Sequence, residues 1–183
     1  MKIKYIVTLA AALLLAASCG KEGIAVTYVN QDAQIEKFVS GQLSQIEGSR
    51  AVFENGTARL VLSEGSGEEL RPDGAVSFYY AGYVFSGSSI SVSNLFATNN
   101  ESVATAAGWS DLSGDDRYNP QVAHLSDGSL LEGLRLGLPG VRPGEECIIL
   151  FSGKLGYGEK AQGTIPAGSA LAYHIWVIDI ENK

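Results

Sequence analysis

The sequence has little from which to build a metal, redox or nucleic-acid site. Its 183 residues include two histidines, His124 and His174, and two cysteines, Cys19 and Cys147. Neither histidine has companion ligands at the spacing a metal site needs, so no metal and no cofactor is expected. Positive charge is also short: 13 basic residues face 20 acidic ones, a formal net charge of −7. An acidic domain is a poor electrostatic partner for nucleic acid or anionic lipid. There is no internal repeat and no long low-complexity tract. The apolar run Ile6 to Ala17 falls short of the roughly 20 residues of an ordinary transmembrane helix. Gly153-Lys154-Leu155-Gly156-Tyr157-Gly158 is glycine-rich, but it lacks the Gly-Lys-Ser/Thr ending of a phosphate-cradling loop and no helical pattern follows it.

What is present begins with a processing signal. Lys2 and Lys4 precede the apolar run and small residues precede Cys19, which predicts a secretory signal peptide over residues 1–18. Leu15-Ala16-Ala17-Ser18-Cys19 resembles a bacterial lipobox, with the bulky apolar residue one place further upstream than usual. That resemblance implies lipidation at Cys19 and anchoring to a membrane of the cell envelope, periplasmic or surface-exposed. Removing Lys2 and Lys4 leaves 11 basic residues against 20 acidic ones, so the mature chain is near −9. Acyl chains would have to supply the attachment, and several are needed for stable anchoring. Cys147, in the apolar run Glu146 to Phe151, then reads as a buried small hydrophobe without a disulfide partner.

The remaining 165 residues suit one domain with an extension. Residues 19–29 read as a tether. From Asn30 to Ile46, the residues Ile35, Phe38, Val39, Leu43 and Ile46 recur at near-helical spacing, predicting an N-terminal helix within 30–48 packed on the domain by one stripe. A dimerisation helix is the alternative, so the expected state is a monomer or weak dimer. Ala51–Glu54 and Thr57–Leu62 read as a hairpin about Asn55-Gly56, where both positions tolerate positive φ. Asn55-Gly56-Thr57 and Asn100-Glu101-Ser102 also match glycosylation sequons, though the turn explains the first.

Pro72-Asp73-Gly74 ends a polar connection as a turn. The strand Ala75 to Val84 follows, with Val76, Phe78 and Tyr80 on one face and Ser77 and Tyr79 on the other. In the last strand Tyr173, Ile175 and Val177 alternate with His174 and Trp176. Ser129 and Glu132 have the spacing of a capping box, predicting a helix from Ser129 to Leu138 that buries Leu130, Leu131, Leu134 and Leu138.

These landmarks, in the order Tyr80-Ala81-Gly82, Leu130-Leu131-Glu132-Gly133-Leu134, Pro143-Gly144-Glu145, Leu155-Gly156-Tyr157-Gly158, Gly163-Thr164-Ile165-Pro166 and Leu171-Ala172-Tyr173, resemble the FKBP-type peptidyl-prolyl cis/trans isomerases. The resemblance implies an α+β fold over residues 49–183, an antiparallel β-sheet wrapped around one short α-helix. It also implies a proline pocket. Tyr80 and Tyr173 would face it, Leu130 and Leu131 would offer apolar side chains and a backbone N–H, and Leu134 would form the floor in place of the family's tryptophan. The Tyr157 hydroxyl would bond a ligand carbonyl, and Ile165 would close the loop. The family's Phe-Asp pair is altered: Phe96-Ala97 keeps the ring and loses the acid, while an ungapped placement selects Ile90-Ser91. Residues 97–119 form an insertion longer than the family pattern. It holds Trp109, Asp111, Asp115, Asp116 and Tyr118, from which a carboxylate could enter the cleft.

The chemistry implied needs no nucleophile and no metal. An Xaa-Pro bond isomerises slowly over a barrier of roughly 18 to 20 kcal/mol because rotation breaks amide resonance. A dry cleft that prefers the twisted amide, with donors for the rotated carbonyl, lowers that barrier. The expected function is a peptidyl-prolyl isomerase of the cell envelope that acts on proline-containing polypeptides, weakened by the missing acid and indole. A non-catalytic FKBP-like module that binds peptides or a partner protein is the alternative. A third class, a glycan-associated surface lipoprotein, lacks an identifiable aromatic platform in the sequence.

Overall fold

A computed structural model describes the backbone of residues 3–109 and 116–183, and the side chains among these from residue 23 onward. The chain opens with α1 (Ile3–Leu43), one continuous helix that runs through the stretch expected to be a tether. No proline occurs before Pro72, so nothing in this region removes a helical hydrogen bond, and Gly23 is the only glycine between Gly20 and Gly41. The helix stops short of the expected end at 48 and passes into turns that finish at Gly48, where φ is 79°. Of the predicted stripe, Ile35 and Val39 are buried and Phe38 packs beside them, whereas Leu43 is exposed. The Cys19 side chain lies outside the described residues.

Seven strands then build one sheet in which every pairing is antiparallel: β1 (Arg50–Glu54), β2 (Thr57–Ser63), β3 (Ala75–Val84), β4 (Leu95–Thr98), β5 (Gln121–His124), β6 (Glu146–Phe151) and β7 (Leu171–Glu181). The order across the sheet is β1-β2-β6-β7-β3-β4, with β5 also paired to β3. Asn55 (φ 52°) and Gly56 (φ 79°) close the β1–β2 hairpin with the two positive φ angles of the predicted turn.

Period-2 alternation sorts the sheet into two cores. On the inner face Val61, Phe78, Ile149, Phe151, Tyr173 and Ile175 pack around α3 (Glu132–Gly137) and its Leu134 and Leu138. On the outer face Ala58, Leu60, Leu150 and Ala172 receive Ile35 and Val39 of α1. Cys147 is a free thiol sealed in the inner core. His174, on the outer face, stacks on Trp176 with ring centroids 3.9 Å apart and shares a 2.8 Å hydrogen bond with Glu146.

Two local expectations are corrected. The helix begins at Glu132, and its N-cap is Leu131 in an extended conformation with no side-chain bond, so Ser129 and Glu132 form no capping box. The Asp127 carboxylate accepts the Ser129 N–H at 3.0 Å in the preceding turn, and Glu132 is held by Arg135 Nε at 3.0 Å. Leu130 and Leu131 therefore sit on the approach to the helix. The insertion 97–119, expected only as extra length, carries regular structure in its described part. It starts inside β4 and continues into α2 (Glu101–Ala106), capped by Asn100 Oδ1, which accepts the N–H groups of Ser102 and Val103 at 3.1 and 3.4 Å. That cap accounts for the second sequon.

Candidate active site

The hollow between the inner sheet face and the start of α3 is a cavity of about 490 Å³. Its lining includes Tyr80, Phe96, Leu130, Leu131, Leu134, Tyr157, Ile165 and Tyr173, so all eight residues singled out in the sequence converge there. Tyr80 comes from β3, Phe96 from β4, Tyr173 from β7, and Tyr157 and Ile165 from the loop between β6 and β7. Tyr173 is the hub: its ring lies 6.1 Å from Tyr80, 5.7 Å edge-on from Phe96, and 6.0 Å in a stack over Phe151.

Two glycines permit this packing. A Cβ on Gly82 would stand 2.7 Å from the Phe96 ring and 3.0 Å from Tyr173, and a Cβ on Gly133 would stand 2.3 Å from the Phe151 ring. Leu134 lies almost wholly buried in the floor, while Phe151, directly beneath Gly133, is fully buried and does not line the cavity.

The two residues offered for the family's phenylalanine lie in different places. Phe96 lines the cavity, whereas Ile90 packs against the outer core. Asn99 explains why β4 can present Phe96 so close to Tyr80. Strands β5 and β4 pair with β3 at Phe78 and Ala81 respectively, leaving a gap between them. The buried Asn99 side chain fills it as a substitute peptide: Oδ1 accepts the Tyr80 N–H at 2.6 Å, and Nδ2 donates to the carbonyls of Phe78 (3.3 Å) and Asn119 (3.0 Å). The Thr98 hydroxyl donates to the Tyr80 carbonyl at 2.6 Å.

No carboxylate lines the cavity among the described residues. Asp116 is engaged by Asn119 Nδ2 at 3.1 Å, and Asp111 and Asp115 lie outside the described residues. The polar groups of the site are instead neutral. Sequence reasoning missed Phe78, Ala97, Gln121, Ser129, Gln162, Gly163 and Thr164 in the lining. Gln121 left no signal in the sequence, since Gln121-Val122-Ala123-His124 does not alternate; it is placed by pairing with Phe78 of the pocket strand. Burial pushes the Tyr80 and Tyr173 phenols up, with the Tyr157 hydroxyl adding to both shifts. Both therefore stay protonated, and able to donate, throughout the neutral range. Such a cleft can strip water from a prolyl ring and offer hydroxyl donors to a carbonyl; among the described residues it holds no carboxylate to act as a general base.

A second hollow, of about 820 Å³, lies past the other end of α3. Arg50, Arg59, Arg71 and Arg142 line it, interleaved with Glu54, Glu68 and Glu69. Beside it the buried Arg59 guanidinium stands 3.7 Å from the fully buried Glu145 carboxylate. Burial raises the Glu145 pKa, and the nearby Arg59 and Arg50 charges pull against that shift. Among the described residues no group of three or more His, Cys, Asp or Glu side chains is placed to hold a metal ion.

Comparison with known proteins gives these features a context. Residues 67–178 match the family model for FKBP-type peptidyl-prolyl cis-trans isomerase. FK506-binding protein 1 of Aspergillus oryzae is 24% identical over 125 residues, covering 68% of this chain and 98% of that protein. The bovine peptidyl-prolyl cis-trans isomerase FKBP10 is 40% identical over 60 residues, 32% of this chain, and the match spans a tenth of that relative's length. Among solved structures, FkpA from Escherichia coli superposes with a TM-score of 0.55 at 18% identity, over 95% of this chain and 70% of that one. A peptidyl-prolyl cis-trans isomerase from Pseudomonas syringae pv. tomato gives 0.55 at 18%, over 85% and 96%. At such identities the superpositions speak for the fold alone. The family model covers more than half of the chain and includes the strands and loops that carry all eight lining aromatics and leucines together with Ile165, so the chain belongs to the FKBP-type peptidyl-prolyl cis-trans isomerase family.

Proposed function

We propose that the protein is a peptidyl-prolyl cis/trans isomerase that takes proline-containing polypeptides into the tyrosine-lined cleft. The observation that carries this reading is the convergence of Tyr80, Phe96, Leu130, Leu131, Leu134, Tyr157, Ile165 and Tyr173 on one neutral cavity. The prolyl ring would rest on Leu134 between Phe96 and Tyr173. The Tyr157 hydroxyl and the Leu131 backbone N–H would bond the substrate carbonyls on either side of the rotating bond. Because the groups are fixed and dry, their preference for the twisted amide lowers the barrier without any proton transfer. Missing contacts from the absent acid and indole cost roughly tenfold per 1.4 kcal/mol of transition-state preference, so modest rates are expected. A protease-coupled or NMR exchange assay on an Xaa-Pro tetrapeptide tests this directly. Acceleration above the uncatalysed rate supports it, and only the uncatalysed rate in that assay refutes it.

The lack of a lining carboxylate among the described residues favours a second reading, a binding module that grips extended polypeptide without catalysis. Under that reading, peptide affinity survives in Tyr157→Phe and Leu134→Ala variants that have lost any rate enhancement. We further propose that the protein works in the cell envelope, tethered by lipid at Cys19, where newly exported chains present Xaa-Pro bonds. Metabolic labelling with palmitate checks the tether: label in the wild type and none in Cys19→Ala supports it, and an unlabelled wild type overturns it.

A further inference from the structure

The loop that carries Tyr157 and Ile165 is fastened from outside by one side chain of the N-terminal helix. Gln31 of α1 donates from Nε2 to the Gly168 carbonyl at 2.7 Å, and its Oε1 accepts the Gly153 N–H at 2.9 Å. These glycines are the two ends of the loop, 122 and 137 residues away in sequence. Within the loop, the Gly168 N–H donates to the Gly158 carbonyl at 2.7 Å, and the Gly158 N–H donates to the Gly153 carbonyl at 2.9 Å. The four residues thus form a closed circuit of hydrogen bonds, each group donating to the next, with Gln31 as the only member outside the loop. Tyr157 is attached directly to it through Gly158.

The circuit has little room for change. A Cβ on Gly153 would stand 2.5 Å from the Gly168 carbonyl oxygen, so the two ends touch backbone to backbone. Hydrogen bonds in such a chain polarise one another, and opening one link weakens the rest. Gln31 is half-buried and held in place because Ile35, one turn further on, is anchored in the outer core. Docking of the helix on one face of the sheet is therefore tied to the position of a cleft residue on the other.

We propose that Gln31 is a positioning residue through which the docked N-terminal helix sets the conformation of the Gly153–Gly168 loop, and with it the aim of the Tyr157 hydroxyl. The effect on catalysis rests on the isomerase reading; the effect on the loop does not.

The test compares Gln31→Ala, Gln31→Glu and Gln34→Ala in the full chain. Glutamate keeps the acceptor for Gly153 and loses the donor for Gly168. Gln34 is on the same helix and packs against Gly87, which is not a member of the circuit. Amide hydrogen exchange of Gly153, Gly158 and Gly168 is read beside kcat/KM and the thermal midpoint. Gln31→Ala is expected to speed exchange at these amides about tenfold and to lower kcat/KM severalfold, with Gln31→Glu between it and the wild type. Gln34→Ala is expected to match the wild type in both. The proposal is overturned if the Gln31→Ala loop exchanges at the wild-type rate, or if Gln34→Ala changes it equally. A wild type without isomerase activity would count against the isomerase reading, and the exchange comparison would still decide the coupling.

Discussion

The two hollows at opposite ends of α3 solve the problem of a buried polar group in opposite ways. The cleft at the N-terminal end is lined by phenols, phenyl rings, two amides, two aliphatic hydroxyls and aliphatic side chains, all uncharged. The hollow past the C-terminal end is framed by arginines and glutamates, with Arg59 and Glu145 buried beside it. A neutral site changes little with pH or salt and can afford to stay empty until a ligand arrives. A charged one must be balanced at all times, because an ion left without its partner in the interior costs several kcal/mol. The first arrangement suits a binding surface and the second suits a fixed joint between β2, β6 and the segment after α3.

The strongest way to break this contrast is at the joint. Arg59→Met should cost about 3 to 5 kcal/mol of unfolding free energy in a denaturant titration, because it takes from buried Glu145 its nearer cation and leaves only Arg50 at 4.0 Å. The double variant Arg59→Met/Glu145→Leu should recover most of that loss. If the single variant is nearly neutral, the pair is not a joint. Next in size, Gly133→Ala pushes a methyl group into the Phe151 ring, and overpacking of this kind costs about 1 to 3 kcal/mol. It should also impair the cleft, since Phe151 supports Tyr173; full peptide turnover in this variant would separate the two.

Tyr157→Phe should lower kcat/KM by about tenfold, the loss of one donor to a developing charge, while the denaturation midpoint stays where it was. A change in midpoint instead would make Tyr157 structural. The smallest effect concerns pH. Tyr80 and Tyr173 are pushed up, so the cleft keeps its protons and kcat/KM for a peptide without titratable groups should be flat between about pH 6 and 9. Stability should not be flat. Burial holds the His174 pKa below its usual value, so the unfolded chain takes up the proton more readily and stability is lost as pH falls through the ordinary imidazole range. His174→Phe should reduce that slope in thermal melts at pH 7.5 and 5.5.

Much of this was legible in the chain. Strand Ala75–Val84 lies where alternation puts it, the Asn55-Gly56 turn has the φ angles its residues favour, and all eight cleft residues meet in one cavity. The misses have specific causes. Periodicity turns Leu130, Leu131 and Leu134 toward the core, where Leu134 is buried and the other two half-buried, but it cannot tell a helix from its approach, and a cap spacing cannot reveal that Asp127 has already claimed the Ser129 N–H. Residues 19–29 read as a tether, with the charged pair Lys21-Glu22 just after Cys19, yet without proline nothing interrupts the helix. Asn99 and Gln31 were invisible because their partners lie about 20 to 137 residues away and are backbone groups, which leave no pattern in a sequence.

Cys147 gives the fold a reporter of its own. Its thiol is fully buried, and burial pushes its pKa far up, so neither oxidants nor alkylating reagents can meet a thiolate while the sheet is closed. A reagent added to the intact protein will therefore mark Cys147 only in those molecules that have opened the inner core, and the rate of its incorporation at that residue times the breathing of β6 against its neighbours.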